Sequence, residues 1–137
     1  MRTFGPINVG SLVWFRLPEN RPSIDSPSMK EYVSNYPLWA AKFAKKHNGF
    51  LKPVAGLAGD AICRDKNIFS INGKQTGPRI EGVDQNGNLL PFWSGCIHLT
   101  TQQLAVFSGY AQDSLDSRLF GAIDAAESIP YKPLWLF

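Results

Sequence analysis

The amino-acid sequence predicts a mainly β fold, a curled antiparallel sheet or barrel with one short helical insertion. Short runs of β-branched and aromatic residues recur along the chain, and they are separated by turn signals such as Asn72-Gly73 and Asp84–Gly87. One stretch changes to helical spacing. The 137 residues suit a single domain over 1–137, and a 44% hydrophobic content excludes a disordered chain.

The predicted strands follow one another with short connections. The first covers residues 8–17 and a Pro- and Ser-rich loop follows over 18–28. Further strands are predicted at 50–54, 61–63, 68–71, 74–75, 96–99 and 103–107. Asn72-Gly73 predicts a type I′ hairpin, because its two central positions need positive φ angles that Asn and Gly tolerate.

The helical insertion is predicted at about residues 28–48. Its helix runs from about 34 to 47 and ends at Asn48-Gly49. One face of this helix is aromatic and carries Tyr36, Trp39 and Phe43. Lys42 and Lys45 fall on the opposite face, so a helix packed on a sheet is the expected structure. A partner-binding surface is the alternative.

Charge and hydropathy narrow the function classes. The formal net charge is only +3, and the one dense basic cluster is Lys42, Lys45 and Lys46, so no nucleic-acid partner is predicted. An apolar run of about 18 residues is missing, and so is the apolar core of a signal peptide after Met1. No membrane span is therefore expected within these residues.

Two cysteines, Cys63 and Cys96, lie far apart in the sequence. Their spacing matches no zinc motif, and no CxxC is present. His47 and His98 stand in no metal-ligand pattern either. Neither a metal nor a cofactor is therefore expected. The cysteines are either buried free thiols or one disulfide formed in an oxidising compartment.

A lysine interrupts an otherwise apolar strand at position 52. If Lys52 points into apolar surroundings, its ammonium form loses solvation and its pKa falls from about 10.4 towards neutrality, which makes it a candidate general base. The alternative is a lysine that reaches solvent from a strand edge. Gly56 and Gly59 predict a tight turn after this strand, with Asp60 as an acceptor that stabilises it.

A second polar motif runs from Asp113 to Gly121. Within it Asp116 and Arg118 are spaced to form an ion pair, and Ser114 is a hydroxyl neighbour. A polar loop that closes a helix or turn is the alternative to a functional role.

In this order the motifs resemble the signal-peptidase clan, most closely its conjugative-transfer branch, the TraF-type serine–lysine peptidases. The resemblance is carried by the following segments of the chain: Gly10–Val13, Lys52–Asp60, Ile71–Gly73, Ser114–Gly121 and the aromatic-rich tail Pro133-Leu134-Trp135. It covers nearly the whole chain and implies a signal-peptidase-like β fold. Ala58 stands where the family has a proline.

The resemblance implies a role for each matched residue. Lys52 would be the general base, Ser114 would hydrogen-bond its amine, and Asp116 with Arg118 would support that loop. Gly56, Gly59 and Asp60 would shape the adjoining turn. The family's nucleophile is the serine of Ser-x-Pro-x-Gly-x-Tyr, whose tyrosine falls at about Met1. The serine is then expected a few residues before this chain, and the 137 residues alone are expected to be inactive.

The implied function is serine endoproteolysis that matures a membrane-bound precursor, a pilin-like protein, for conjugative transfer. The resemblance implies small residues before the scissile bond, an N-terminal anchor in the bacterial inner membrane, and a catalytic domain facing the periplasm. A periplasmic location would favour the disulfide. The alternative is an inactive pseudo-peptidase that binds precursors as an assembly factor. A self-cleaving repressor domain ranks last, since no cleavage linker or DNA-binding helix is evident.

Overall fold

The computed structural model describes residues 6–17, 29–33, 38–47, 49–107 and 115–131. They form two five-stranded antiparallel sheets, accompanied by two short α-helices. Each sheet has two open edges among the described residues, so neither closes into a barrel. The mainly β fold class predicted from the sequence is confirmed in its curled-sheet form.

The strands in the described residues are β1 (Leu12–Phe15), β2 (Met29–Val33), β3 (Phe50–Gly56), β4 (Ala61–Asp65), β5 (Ile68–Ile71), β6 (Lys74–Gln75), β7 (Phe92–His98), β8 (Gln103–Val106), β9 (Ile123–Asp124) and β10 (Ile129–Tyr131). The helices are α1 (Leu38–His47) and α2 (Ser117–Phe120), and a 3₁₀ turn covers Ala125–Glu127.

The first sheet has the order β10-β1-β3-β8-β9. In the β1–β3 pair, Val13 lies opposite Lys52 and Phe15 lies opposite Phe50. Residues directly opposite one another share a face of the sheet, so these four side chains lie on the same face. Val13, Phe15 and Phe50 are buried, which makes this the core face of the sheet.

The second sheet has the order β2-β7-β4-β5-β6. The predicted Asn72-Gly73 hairpin joins β5 to β6, and its two central residues have φ angles of 50° and 82°, which confirms the type I′ prediction. Cys63 on β4 lies opposite Cys96 on β7, and the two form a disulfide. Of the two possibilities that the sequence left open, the structure has the disulfide.

Side chains from both sheets and from α2 form one hydrophobic core. Phe15 of the first sheet contacts Phe120 of α2 edge-on, with 5.9 Å between ring centroids. Trp93 of the second sheet is fully buried and packs edge-on against Phe69. The short helix α2 therefore packs on the first sheet through Phe120 and belongs to the core that side chains of both sheets share.

Several elements differ from their sequence predictions. The first strand covers only Leu12–Phe15, because a turn with Gly10 at φ 91° precedes it. The insertion over 28–48 is not wholly helical, since Met29–Val33 forms β2 on the edge of the second sheet. The short strands β9 and β10 were not predicted. The predicted loop 18–28, the predicted helix start at 34–37 and the tail at 133–135 lie outside the described residues.

Helix α1 packs on the rest of the domain, as the sequence predicts. The indole Nε1 of Trp39 donates a hydrogen bond of 2.8 Å to Asp84 Oδ2, and the Phe43 ring stacks on Phe50 at 4.8 Å between centroids. Partial burial works to raise the pKa of Asp84, but the hydrogen bonds from Trp39 and Asn88 outweigh it and lower the pKa to about 2. Asp84 therefore anchors the helix as a carboxylate at any ordinary pH.

Candidate active site

Lys52 occupies a core-facing position in the middle of β3. Alternate residues of the strand, Phe50, Val54 and Gly56, are buried, and Lys52 lies between them on the same face. The side chain itself is half-buried, whereas its neighbour Leu51 on the other face is exposed. The strand alternation, and not a local sequence signal, thus directs the amine towards the interior.

The surroundings of Lys52 favour the neutral amine. Burial lowers the pKa of Lys52 below its ordinary value because the ammonium form loses solvation. The carboxylate of Asp116 opposes this effect, and the positive charge of Arg118 adds to it. A lysine in this condition supplies a neutral amine at lower pH than an exposed lysine, as a general base must.

Asp116 and Arg118 form a buried ion pair beside Lys52. Arg118 Nε donates to Asp116 Oδ1 at 3.0 Å and Arg118 Nη2 donates to Oδ2 at 3.1 Å. Both side chains are 0% exposed. Burial raises the pKa of Asp116, while the hydrogen bonds and charge of Arg118 act in the opposite direction. The guanidinium also lies over the ring of Phe107, 5.0 Å from its centroid.

The same carboxylate begins helix α2. Asp116 is the N-cap residue, and its Oδ1 also accepts a hydrogen bond from the backbone N–H of Arg118. The next residue, Ser117, is buried and its Oγ accepts from the backbone N–H of Val106 at 2.8 Å. The cap and this contact fix α2 against β8, which neighbours the strand that carries Lys52.

The turn after β3 is built as its sequence suggests. Asp60 N–H donates to the Leu57 carbonyl at 2.9 Å, and Gly59 has a φ of 94° at the third position of this turn. The Asp60 carboxylate accepts from Leu57 N–H and from the side chain of Asn72, and these bonds lower its pKa. A Cβ on Gly56 would lie 3.0 Å from a methyl group of Leu99.

The structure brings Lys52, Asp116 and Arg118 together, although they are far apart in the sequence. Ser114 lies outside the described residues. Sequence reasoning missed Arg64 and Trp93, which contact the backbone of α2 from the second sheet. Strand alternation could have indicated Arg64, because it shares the face of the apolar residue two positions before it.

A half-buried lysine on the core face of β3, with a lowered pKa, has the property that a lysine needs in order to replace histidine as the base for a serine nucleophile. The family model of signal peptidase, peptidase S26, matches residues 1–130. The chain therefore belongs to the peptidase S26 signal peptidase family, which makes it a hydrolase of the serine peptidase class. A search of curated proteins found no match.

The described helices include none with the length and apolar composition needed to cross a bilayer.

Proposed function

We propose that the chain is the catalytic domain of a TraF-type signal peptidase, a serine endopeptidase in which Lys52 is the general base. The single observation that carries the proposal is the half-buried Lys52 on the core face of β3, next to a buried ion pair. Burying the charge of a lysine costs stability, so a half-buried lysine with a lowered pKa beside charged neighbours favours a chemical role.

In the proposed reaction the neutral Lys52 Nζ accepts the proton of a serine Oγ as that oxygen bonds to the scissile carbonyl carbon. Lys52 then returns the proton to the amine when the C–N bond breaks. A water molecule attacks the acyl-enzyme with the same assistance and regenerates the serine. Asp116 and Arg118 hold the segment that faces the base, and Ser114 would accept or donate a hydrogen bond at the lysine amine.

The nucleophile is proposed to be the serine of the family motif that would precede Arg2. The two described serines nearest to the matched motifs have other contacts: Ser117 Oγ is buried against Val106 N–H, and Ser11 Oγ accepts from Asn8 N–H. Neither of these two serines is therefore proposed as the nucleophile. Turnover by these 137 residues that Lys52→Ala abolishes would instead assign the nucleophile to a serine among them, Ser11 or Ser114.

The proposed substrate is a membrane-bound, pilin-like precursor with small residues before the cleavage site, matured for conjugative transfer. We further propose that the protein is anchored in the bacterial inner membrane with this domain in the periplasm. The Cys63–Cys96 disulfide supports this location, because disulfides persist in oxidising compartments.

The test uses the natural protein in its own membranes, with precursor processing followed by mass spectrometry. Lys52→Ala is expected to lower the processing rate by roughly 10²–10⁴-fold, the usual effect of losing a general base. Lys74→Ala is the matched control, because Lys74 is exposed on β6. Equal processing by both variants contradicts the proposal, and precursor binding without cleavage by the unaltered protein favours the pseudo-peptidase.

A further inference from the structure

Arg64 is a buried charge at a position where a β-sheet core ordinarily has an apolar residue. It follows Ile62 on the core face of β4 and is only 2% exposed. No carboxylate of the described residues forms an ion pair with it. Its hydrogen bonds go to two backbone carbonyl oxygens, from Nε to Lys66 O at 3.0 Å and from Nη1 to Arg118 O at 3.0 Å.

The second of these bonds crosses the core from the second sheet to helix α2. The guanidinium of Arg64 also lies over the ring of Phe92, 4.6 Å from the centroid, which compensates part of its lost hydration. The indole Nε1 of Trp93 donates to the same region, at 3.0 Å to Ser117 O and 3.2 Å to Arg118 O. The Ser117 carbonyl also accepts from the backbone N–H of Gly121 at 3.0 Å, whereas the hydrogen bonds shown for the Arg118 carbonyl come from these two side chains.

The two donors come from strands that are covalently joined. Arg64 lies on β4 and Trp93 lies on β7, and the disulfide between Cys63 and Cys96 links these strands next to Arg64. The backbone of α2 is thus bonded to one rigid sheet. Arg118, whose carbonyl accepts bonds from this sheet, also donates through its side chain to Asp116 beside Lys52.

We propose that Arg64 is a positioning residue of the peptidase: by holding the Arg118 carbonyl, it fixes the Asp116–Arg118 pair against Lys52. The assignment of Lys52 as the base rests on the proposed function, whereas the physical coupling from Arg64 to Lys52 does not. No sequence motif of the family resemblance includes Arg64, and its role follows from the two hydrogen bonds at Arg118 alone.

The charged groups that act on Lys52 are few. Asp116 and Arg118 face it from the segment at α2, and β1 presents the apolar Val13 directly opposite. Arg64 is hydrogen-bonded to the Arg118 carbonyl, so its connection to the lysine runs through α2. Loss of Arg64 should therefore raise the pKa of Lys52 by displacing α2. A displaced helix admits water, and water stabilises the ammonium form of the lysine.

The coupling can be measured without any substrate. The 137-residue chain is labelled with [ε-¹³C]lysine, and the Lys52 signal, assigned with Lys52→Arg, is titrated by NMR. In Arg64→Met the Lys52 midpoint is expected to move up towards the ordinary lysine value of 10.5, whereas it stays unchanged in Arg79→Met, the exposed arginine control. Arg64→Lys retains a charged donor, so its Lys52 midpoint should lie between those of Arg64→Met and the unaltered protein.

Arg64→Met should fold, because methionine has a similar volume and Trp93 still donates to the Arg118 carbonyl. Should it not fold, Arg64→Gln takes its place, because glutamine is polar but too short to keep the hydrogen bond to the Arg118 carbonyl. An unchanged Lys52 midpoint in the folded variant overturns the coupling in either case.

The functional part is tested on the natural protein in membranes by the pH dependence of processing. Arg64→Met is expected to lower kcat by about tenfold to a hundredfold with KM unchanged, and to move the acid limb of the profile to higher pH. If Arg64 has only a structural role, Arg64→Met loses stability while the acid limb of the pH profile stays in place. That result overturns the positioning role. If Arg64→Met shifts the NMR midpoint of Lys52 but Lys52→Ala processes the precursor as fast as the unaltered protein, the proposed function is refuted and the coupling stands.

Discussion

Asp116→Asn tests the buried ion pair with the smallest change in shape. Asparagine caps a helix about as well as aspartate, so the cap at α2 is retained. One side-chain oxygen can still accept from Arg118 N–H and Nε, both at 3.0 Å. The other oxygen becomes an NH₂ group that faces the Nη2 donor, and the 3.1 Å hydrogen bond there is lost.

The expected loss of stability follows from these contacts. A hydrogen bond to a charged group contributes about 1.5–3 kcal/mol. Removing one partner of a buried ion pair costs about 3–5 kcal/mol in total, because the remaining charge stays buried. The ring of Phe107 still contacts the Arg118 guanidinium, so the lower end applies. Asp116→Asn should therefore lower the free energy of unfolding by about 3 kcal/mol and Tm by about 10 °C.

The assay is urea unfolding at pH 7, followed by circular dichroism and tryptophan fluorescence. The matched control is Asp60→Asn, since Asp60 also accepts from a backbone N–H but faces an amide instead of a cation. The control should lose about 1 kcal/mol. If Asp116→Asn loses no more than Asp60→Asn, the ion pair does not have the buried, desolvated character derived from the structure.

The remaining predictions concern the disulfide, the turn after β3 and the base. Replacing both Cys63 and Cys96 by alanine should lower the free energy of unfolding by about 3–4 kcal/mol, the value of the chain-entropy model for a separation of 33 residues. Urea unfolding of the double variant and of the disulfide-bonded protein measures this difference. Ala58→Pro should stabilise by about 0.4–1 kcal/mol, because Ala58 is the second residue of its turn, where proline presets φ; an unchanged Tm would contradict this turn assignment. Gly59→Ala should cost about 1–2 kcal/mol in the same assay, since its φ is 94° and a Cβ there would meet nothing within 4 Å, so that only the backbone conformation opposes it. Lys52→Met should stabilise the fold at neutral pH, and this gain should shrink as pH rises from the lowered folded pKa towards about 10.5. In that pH range the lysine keeps its proton in the unfolded state and loses it in the folded state. The stability of the unaltered protein therefore rises with pH and approaches that of the variant. A gain that stays constant across the window in pH-dependent unfolding curves would show that the folded pKa is not lowered.

The strands that were predicted from the sequence have local signals, and those that were missed do not. The hairpin at Asn72-Gly73 was predictable because the two residue types fix the turn by themselves. Strand β10 contains Pro130, which has no N–H to donate, and it is tolerated there because β10 is an edge strand. Strand β2 likewise forms by pairing with β7 from a distant part of the chain, and local propensity does not report such pairing.

The candidate site divides in the same way. The alternation of residues along β3 and β4 places Lys52 and Arg64 on the core face, but the sequence left two orientations open for Lys52 and did not single out Arg64. The spacing of Asp116 and Arg118 suggested an ion pair, and the structure has one. Its complete burial could not be predicted, because burial depends on Trp93 and on β8 closing over α2, and both are contacts between distant segments.

Four ionisable side chains in one region of a small β core require an explanation in terms of energy. Replacing a buried ionic group by well-packed apolar residues is often neutral or stabilises a protein by about 1–4 kcal/mol, so stability alone does not favour such a cluster. The cluster is bonded in series instead: Arg64 holds the Arg118 carbonyl, and the Arg118 side chain holds the Asp116 carboxylate. Lys52 feels the charges of Asp116 and Arg118, and it is the one residue of the four that is only half-buried. With Lys52 as the proposed base, the buried charges lower stability but control the proton affinity of one amine, which is the exchange of stability for catalysis that active sites make.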